Sequence, residues 1–193
     1  MNHSDKKNRR RFIRTAAIII PGIWALPGNS ATSLFQTTGL TYQSFDIVIY
    51  GATPAGITAA VAAAREGRSV ALVEPLGIAG GMMSGGLAFS DSNQMFRSTL
   101  GGLFEEFHKR VEKVYAGRGV TLNYRVADKG TQHWTYEPHV AESVFHELLN
   151  EAGVKLFLNE MLAGVTMQQK AIALIKTGTG RTFKGKIFID ESY

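Results

Sequence analysis

The segment from Phe45 to Glu74 constrains the fold of this chain more than any other stretch. It reads FDIVIYGATPAGITAAVAAAREGRSVALVE, in which a glycine turn and a small-residue helical stretch lie between two short apolar runs. Apolar runs without alternation are typical of strands that are buried on both faces of a parallel sheet. Pro54 suits a first helical turn, and Gly67 suits a helix end. The segment therefore predicts a βαβ unit and an α/β domain.

The turn inside this unit has the layout of a dinucleotide-binding turn. Such a turn needs glycine first, a small residue where the backbone approaches the pyrophosphate, and glycine again where helix meets strand. Gly51 and Gly56 occupy the first and third places, whereas Thr53 occupies the second and departs from the strict pattern. The helix N-terminus would offer amides and a partial positive charge to the pyrophosphate. A structural corner without a ligand is the alternative.

Glu74 ends the second predicted strand, about 23 residues after Gly51. An acidic residue at this place can bind the hydroxyl pair of a ribose. The same acid disfavours a ribose that carries a 2′-phosphate, so NADP is the least favoured dinucleotide. The alternative for Glu74 is a solvated carboxylate at a strand end.

A glycine-rich loop follows Glu74 and bears on the choice between NAD and FAD. It contains GIAGGMMSGGL, with Gly80, Gly81, Gly85 and Gly86 close together. A backbone with few side chains could lie along a ribityl chain or a flavin ring, whereas an NAD dehydrogenase usually continues from this strand into a helix. The loop therefore favours FAD, and a flexible glycine hinge is the alternative.

The remaining sequence predicts further layers of the same domain. Amphipathic spacing predicts helices over 103–117 and 137–153, and an apolar run predicts a third parallel strand over 154–159. Short alternating runs predict a small antiparallel meander over 160–184, followed by a final buried strand over 185–190 that ends in Asp190.

Side chains that could supply further chemistry are few. The chain has no cysteine, which excludes disulfides, thiolate zinc sites and thiol nucleophiles. His133, His139 and His146 lack a partner carboxylate at a meaningful spacing, so surface or core positions are favoured over catalysis for them. Trp134 and Tyr136 are expected in the core or at an interface. No metal site is predicted.

The formal charge of +5 lies in the first 31 residues, which hold six basic residues and one acidic residue. The rest of the chain has 15 basic and 15 acidic residues and is neutral. A neutral body without a basic stripe gives little reason to expect binding to nucleic acid.

Residues 1–31 have the organisation of an export signal, with a basic start, an apolar run and small residues near Ala31. The apolar run is too short to span a bilayer, which takes about 20 residues. Arg9 and Arg10 in NRRRFIR resemble the pair of a twin-arginine signal, with Asn8 in place of the usual Ser or Thr. A general secretory signal is the alternative. Residues 32–44 are expected to be a linker, and residues 45–193 the domain.

Four stretches together resemble a large group of bacterial FAD-dependent oxidoreductases. They are YGATPAGI and GGMMSGGL, YEPHVAESVFHELLNEAGV from Tyr136 to Val154, and GRTFKGKIFIDESY from Gly180 to Tyr193. Thr53 is then the family's own choice, and Ala52 is the departure from it. The four stretches are far more specific than the glycine turn alone.

The resemblance implies a three-layer, Rossmann-like FAD/NAD(P)-binding domain, with a parallel sheet, helices on one face and a small antiparallel meander on the other. It assigns three groups of cofactor contacts. The pyrophosphate turn is Gly51, Thr53, Pro54, Ala55 and Gly56; Glu74 holds the adenosine ribose; and Gly80, Gly81 and Met82 follow the ribityl chain. Met82 and Met83 could touch the flavin or fill the core, and Asp190 is a further candidate contact.

The resemblance also implies a longer protein, because such sequences continue past the strand before Tyr193 into a substrate-facing half. We therefore expect this chain to hold an incomplete domain, in which no catalytic residue can be named. The expected function is the FAD-binding portion of an exported oxidoreductase that acts on a small molecule or carbohydrate. An NAD-binding enzyme fragment and a non-catalytic dinucleotide-binding protein are the alternatives.

Overall fold

The computed structural model describes residues 42–87, 96–122 and 135–192. The predicted leader over 1–31, His133 and Trp134 lie outside the described residues, and so does most of the predicted linker. The first strand begins at Gln43, two residues before the predicted start of the domain.

The described residues contain six strands and three long helices. The strands are β1 (Gln43–Tyr50), β2 (Val70–Val73), β3 (Lys155–Phe157), β4 (Leu162–Gln168), β5 (Ala171–Thr177) and β6 (Thr182–Asp190). The helices are α1 (Pro54–Arg65), α2 (Gly102–Gly117) and α3 (Pro138–Ala152), and shorter helical turns cover Met83–Leu87 and Arg97–Thr99. Each long helix starts within one residue of its predicted start. Across these described ranges, no helix is both long and apolar enough to cross a membrane.

The strands form one sheet in the order β3-β2-β1-β6-β5-β4. The pairs β3-β2, β2-β1 and β1-β6 are parallel, and the pairs β6-β5 and β5-β4 are antiparallel. This arrangement confirms the predicted α/β fold with a parallel sheet and a small antiparallel meander.

The meander and the final strand are continuous, which differs from the prediction of two elements divided near Gly185. β6 pairs along Phe183–Asp190 with β1, and its first residues also pair with β5. Gly185 therefore does not end a strand. A Cβ at this position would meet the Val48 side chain at 2.9 Å, so glycine allows the two parallel strands to approach closely.

The helices cover one face of the sheet. Ile49 and Leu72 point to this face and belong to a core cluster with Ile57 and Val61 of α1 and Leu149 of α3. All five side chains are at most 1% exposed. Burial of this face stabilises the βαβ unit, because each large apolar side chain removed from water contributes about 1.5–3 kcal/mol.

Side chains from β5 and β6 cover the opposite face of the sheet. Val48 and Val73, which alternate with the helix-facing residues, cluster with Ile175 of β5 and Phe183 of β6. The ring centroids of Phe157 and Phe183 are 4.9 Å apart in an edge-to-face arrangement. The two buried faces explain why β1 and β2 lack alternation, and they confirm the three layers.

An ion-pair network joins the outer surfaces of the helices. Arg110 of α2 contacts Glu147 at 2.6 Å and Glu151 at 2.5 Å on α3, and Arg65 of α1 contacts Glu106 of α2 at 2.7 Å. Hydrogen bonds from Arg65, and then from Arg110, lower the pKa of Glu106 to about 2. These partly exposed pairs connect three helices that are distant in sequence.

Candidate functional site

The predicted dinucleotide turn lies at the carboxyl end of β1, where ligands bind in open α/β sheets. Gly51 has a φ of 104°, and its N–H donates to the Val73 carbonyl at 2.8 Å. A Cβ on Gly51 would collide with the Glu191 carbonyl and lie 2.7 Å from the Ser192 amide nitrogen. Both the backbone conformation and the close approach of the chain after β6 therefore require glycine here.

Thr53 begins α1 as its N-cap. Its backbone is extended, and its Oγ1 accepts a hydrogen bond from the Gly56 N–H at 3.1 Å. Pro54 follows in the first turn. Thr53 therefore satisfies one of the amides that a helix start leaves without a partner, which explains why a hydroxyl residue stands at the second place of the pattern. Within the described part of the chain, the Ala55 N–H has no acceptor.

Gly56 lies where α1 passes closest to the end of β1. A Cβ on this residue would collide with the Gly51 carbonyl oxygen. The third place of the pattern thus needs glycine for the packing of helix against strand.

Glu74 is fully buried, so the solvated strand-end carboxylate considered from the sequence is wrong. Its Oε2 accepts a hydrogen bond from the Ala52 N–H at 2.6 Å, and its Oε1 accepts one from the Leu76 N–H at 2.8 Å. The carboxylate is thereby fixed against the glycine turn, and both of its oxygens are hydrogen-bonded, as a buried charge requires.

Ala52 connects the turn with the glycine-rich loop. Its carbonyl accepts a hydrogen bond from the Gly80 N–H at 2.7 Å, while its own N–H donates to Glu74. From the sequence, Ala52 is only a departure from the family pattern. Its role lies in the backbone, and nothing in the side chain signals it.

Gly80 and Gly81 of the glycine-rich loop are buried, and local contacts hold this part of the loop. Gly80 has a φ of 108°, and a Cβ there would lie 2.5 Å from Ser84 Oγ and 2.7 Å from the Phe145 ring. The Ser84 hydroxyl donates to the Ala79 carbonyl at 2.5 Å. Gly81 is also buried, whereas the Met82 side chain is 67% exposed. The structure therefore joins Gly80 to the turn through Ala52, buries Gly81 beside it and leaves the Met82 side chain exposed.

Met83 packs against the core that the helices form, so the adjacent methionines differ in environment. It lines an apolar cavity of about 60 Å³ together with Pro54 and residues of the three helices. These contacts favour a role for Met83 in core packing over a contact with the flavin.

The other candidates from the sequence lie apart from the turn or are bound locally. The Asp190 carboxylate accepts hydrogen bonds from the Ser192 amide at 3.0 Å and from the Ser192 hydroxyl at 2.6 Å. His139 is exposed, and His146 lies on the surface of α3 near Glu142. Tyr136 is buried against Phe107, as expected for a core residue.

His108 is a buried histidine that the sequence did not single out. Its Nδ1–H donates to the Phe104 carbonyl at 2.8 Å, and burial lowers its pKa. In the described part of the chain, no group of three or more histidine, aspartate or glutamate side chains could hold a metal ion.

The fold and the turn together define a dinucleotide-binding α/β protein. Within that class, residues 46–193 match the model of the family described as FAD dependent oxidoreductase. The match covers most of the chain, so the chain belongs to this family, and FAD is the cofactor. No curated protein sequence matches the chain.

Solved structures show the same fold. The L-amino acid deaminase from Proteus vulgaris has a TM-score of 0.52 and 19% identity, with 81% of this chain and 49% of that chain covered. The L-proline dehydrogenase from P. horikoshii has a TM-score of 0.50 and 17% identity, with 78% of this chain and 53% of that chain covered. The chain thus spans about half the length of these proteins.

Proposed function

We propose that this chain is the FAD-binding portion of an exported oxidoreductase that acts on a small molecule or a carbohydrate. In this proposal Gly51, Thr53, Pro54, Ala55 and Gly56 surround the pyrophosphate, Glu74 binds the adenosine ribose, and Gly80, Gly81 and Met82 lie along the ribityl chain. FAD, when bound, supplies the redox chemistry, and the protein supplies position and electrostatics.

The observation that carries this proposal is the convergence of three segments on Ala52. The N–H of Ala52 is bonded to Glu74, its carbonyl is bonded to Gly80, and it precedes the N-cap of α1. One peptide thereby places the candidate groups for pyrophosphate, ribose and ribityl side by side.

The remaining hydrogen-bonding capacity of Glu74 fits a ribose. An ionised carboxylate has about four acceptor positions, and the Ala52 and Leu76 amides use two of them. Two positions remain, one on each oxygen, which matches the two hydroxyls of a ribose. Glu74 has no exposed surface, so the ribose can reach it only if the groups that cover the carboxylate are displaced.

Glu74→Ala is expected to raise the dissociation constant for FAD by about 10- to 150-fold. Charge-assisted hydrogen bonds to the ribose would contribute about 1.5–3 kcal/mol, and each 1.4 kcal/mol is a factor of ten. Titration of the purified chain with FAD, followed by flavin fluorescence, measures the change.

Glu66→Ala is the matched control, because Glu66 is an exposed carboxylate at the C-terminal end of α1. Its FAD affinity should equal that of the wild type. An affinity of Glu74→Ala within twofold of the wild type would remove Glu74 from the site.

Export is supported by the sequence of the leader alone. Replacing Arg9 and Arg10 with lysine should block export if the twin-arginine route is used, because that route reads the arginine pair, whereas a general secretory signal needs only positive charge. Cell fractionation of the double variant measures the periplasmic share.

Replacing Arg11 and Arg14 with lysine is the matched control, since it makes the same chemical change elsewhere in the same leader. This control should reach the periplasm at the wild-type rate. Normal export of the Arg9 and Arg10 variant would contradict the twin-arginine route.

A further inference from the structure

We propose that Glu160 is a positioning residue for Glu74. The Glu160 side chain binds the turn between β5 and β6 to the segment between β3 and β4, and this segment in turn holds Glu74 in place. The inference rests on the proposed role of Glu74 as the ribose ligand. It assigns a part in cofactor binding to a cluster that lies outside the dinucleotide turn.

The backbone of Glu74 is held by the segment that follows β3. Its N–H donates to the Phe157 carbonyl at 2.8 Å, and its carbonyl accepts from the Glu160 N–H at 2.8 Å. The Asn159 N–H donates to the Leu76 carbonyl at 3.0 Å. The direction of the Glu74 side chain therefore depends on the position of residues 157–160.

The Glu160 side chain fixes that segment from the other side. Its Oε2 accepts hydrogen bonds from the hydroxyls of Thr177 and Thr179, both at 2.5 Å, and its Oε1 lies 3.3 Å from the Arg181 Nε. Thr179 and Arg181 belong to the turn between β5 and β6, and Thr177 is the last residue of β5. In the same region, the Gly178 N–H donates to the Met161 carbonyl at 2.8 Å.

Burial makes the contacts of the Glu160 carboxylate rigid. The side chain of Glu160 is 3% exposed, and Thr177 is 1% exposed. A carboxylate so far from water is costly unless every contact is kept, so the cluster tolerates little displacement. A small shift of Glu160 would pass directly to the Glu74 carbonyl through their shared hydrogen bond.

The test compares ADP with 2′,3′-dideoxy-ADP as ligands of the full chain, with dissociation constants measured by calorimetry. The ratio of the two constants reports only on recognition of the ribose hydroxyls. It should be at least about tenfold in the wild type and near one in Glu74→Ala, because charge-assisted hydrogen bonds to the hydroxyls are then lost.

Glu160→Gln keeps the shape of the side chain and removes its charge, and Thr179→Val removes a single hydroxyl donor at a partly buried site. Both variants should lower the ratio to about threefold or less. Thr179→Val keeps the test decisive if Glu160→Gln does not fold.

Asp46→Asn is the matched control. Asp46 lies within β1, four residues before the strand ends at Tyr50, and accepts hydrogen bonds from the Ser69 amide, the Ser69 hydroxyl and Lys186. This variant should lower the melting temperature and leave the ratio at the wild-type value.

The results distinguish the positioning role of Glu160 from the ribose-binding role of Glu74. A wild-type ratio in Glu74→Ala would overturn the ribose role of Glu74, and the inference with it. A low ratio in Glu74→Ala together with a wild-type ratio in folded Glu160→Gln and Thr179→Val would overturn the positioning role alone.

Discussion

Phe183→Ala should lower the free energy of unfolding by about 3–5 kcal/mol, the range for removing a large aromatic side chain from a core. Phe183 is fully buried, and it joins the meander to the second face of the sheet through Val48 and Val73. Its ring also packs edge to face with Phe157, the last residue of β3. Chemical denaturation monitored by circular dichroism measures the loss.

Ile187→Ala in the same strand is the control for this change. Ile187 is 55% exposed, so its truncation should alter the free energy of unfolding by less than about 1 kcal/mol. If Phe183→Ala costs no more than Ile187→Ala, the meander does not close the sheet, and the three-layer packing would be contradicted.

Gly56→Ala should destabilise the chain by about 1–3 kcal/mol and weaken FAD binding by at least about tenfold. Helix propensity alone predicts the opposite sign, because alanine in a helix interior is favoured over glycine by about 1 kcal/mol. The added Cβ would collide with the Gly51 carbonyl oxygen, and relief of such overpacking moves the backbone. The turn that approaches the pyrophosphate is what must move.

Gly117→Ala separates the two effects, because Gly117 also lies in a helix and a Cβ there meets nothing within 4 Å. It should leave FAD binding unchanged and leave stability equal or slightly higher. A stabilised Gly56→Ala with wild-type FAD affinity would show that the close approach of α1 to β1 is not needed.

The βαβ unit could be predicted from sequence because its signals are local. Pro54 and the glycine after α1 mark the ends of the helix, and the apolar runs mark strands buried on both faces. The continuity of β6 could not be predicted in this way. A glycine such as Gly185 usually indicates that a strand ends. Glycine is needed here because the Val48 side chain, from a strand that is distant in sequence, leaves no room for a Cβ.

In the candidate site, too, the residues with local sequence signals could be predicted and those that depend on distant contacts could not. Gly51, Gly56 and Glu74 could be selected from their spacing, because the dinucleotide turn is a short motif. The backbone role of Ala52 and the cluster around Glu160 could not be found, since both depend on which distant segments the sheet brings together. Burial of Glu74 likewise follows from hydrogen bonds that only the folded chain makes.

The contact between the glycine turn and the chain after β6 bears on when the turn can form during synthesis. Gly51 packs against the backbone of Glu191 and Ser192, and the Glu191 N–H donates to the Tyr50 carbonyl. A ribosome releases the turn long before it releases these two residues, because the chain emerges from its N-terminus. We therefore expect the turn to acquire its final shape only after β6 has been made, and FAD to bind the completed sheet more tightly than the nascent βαβ unit.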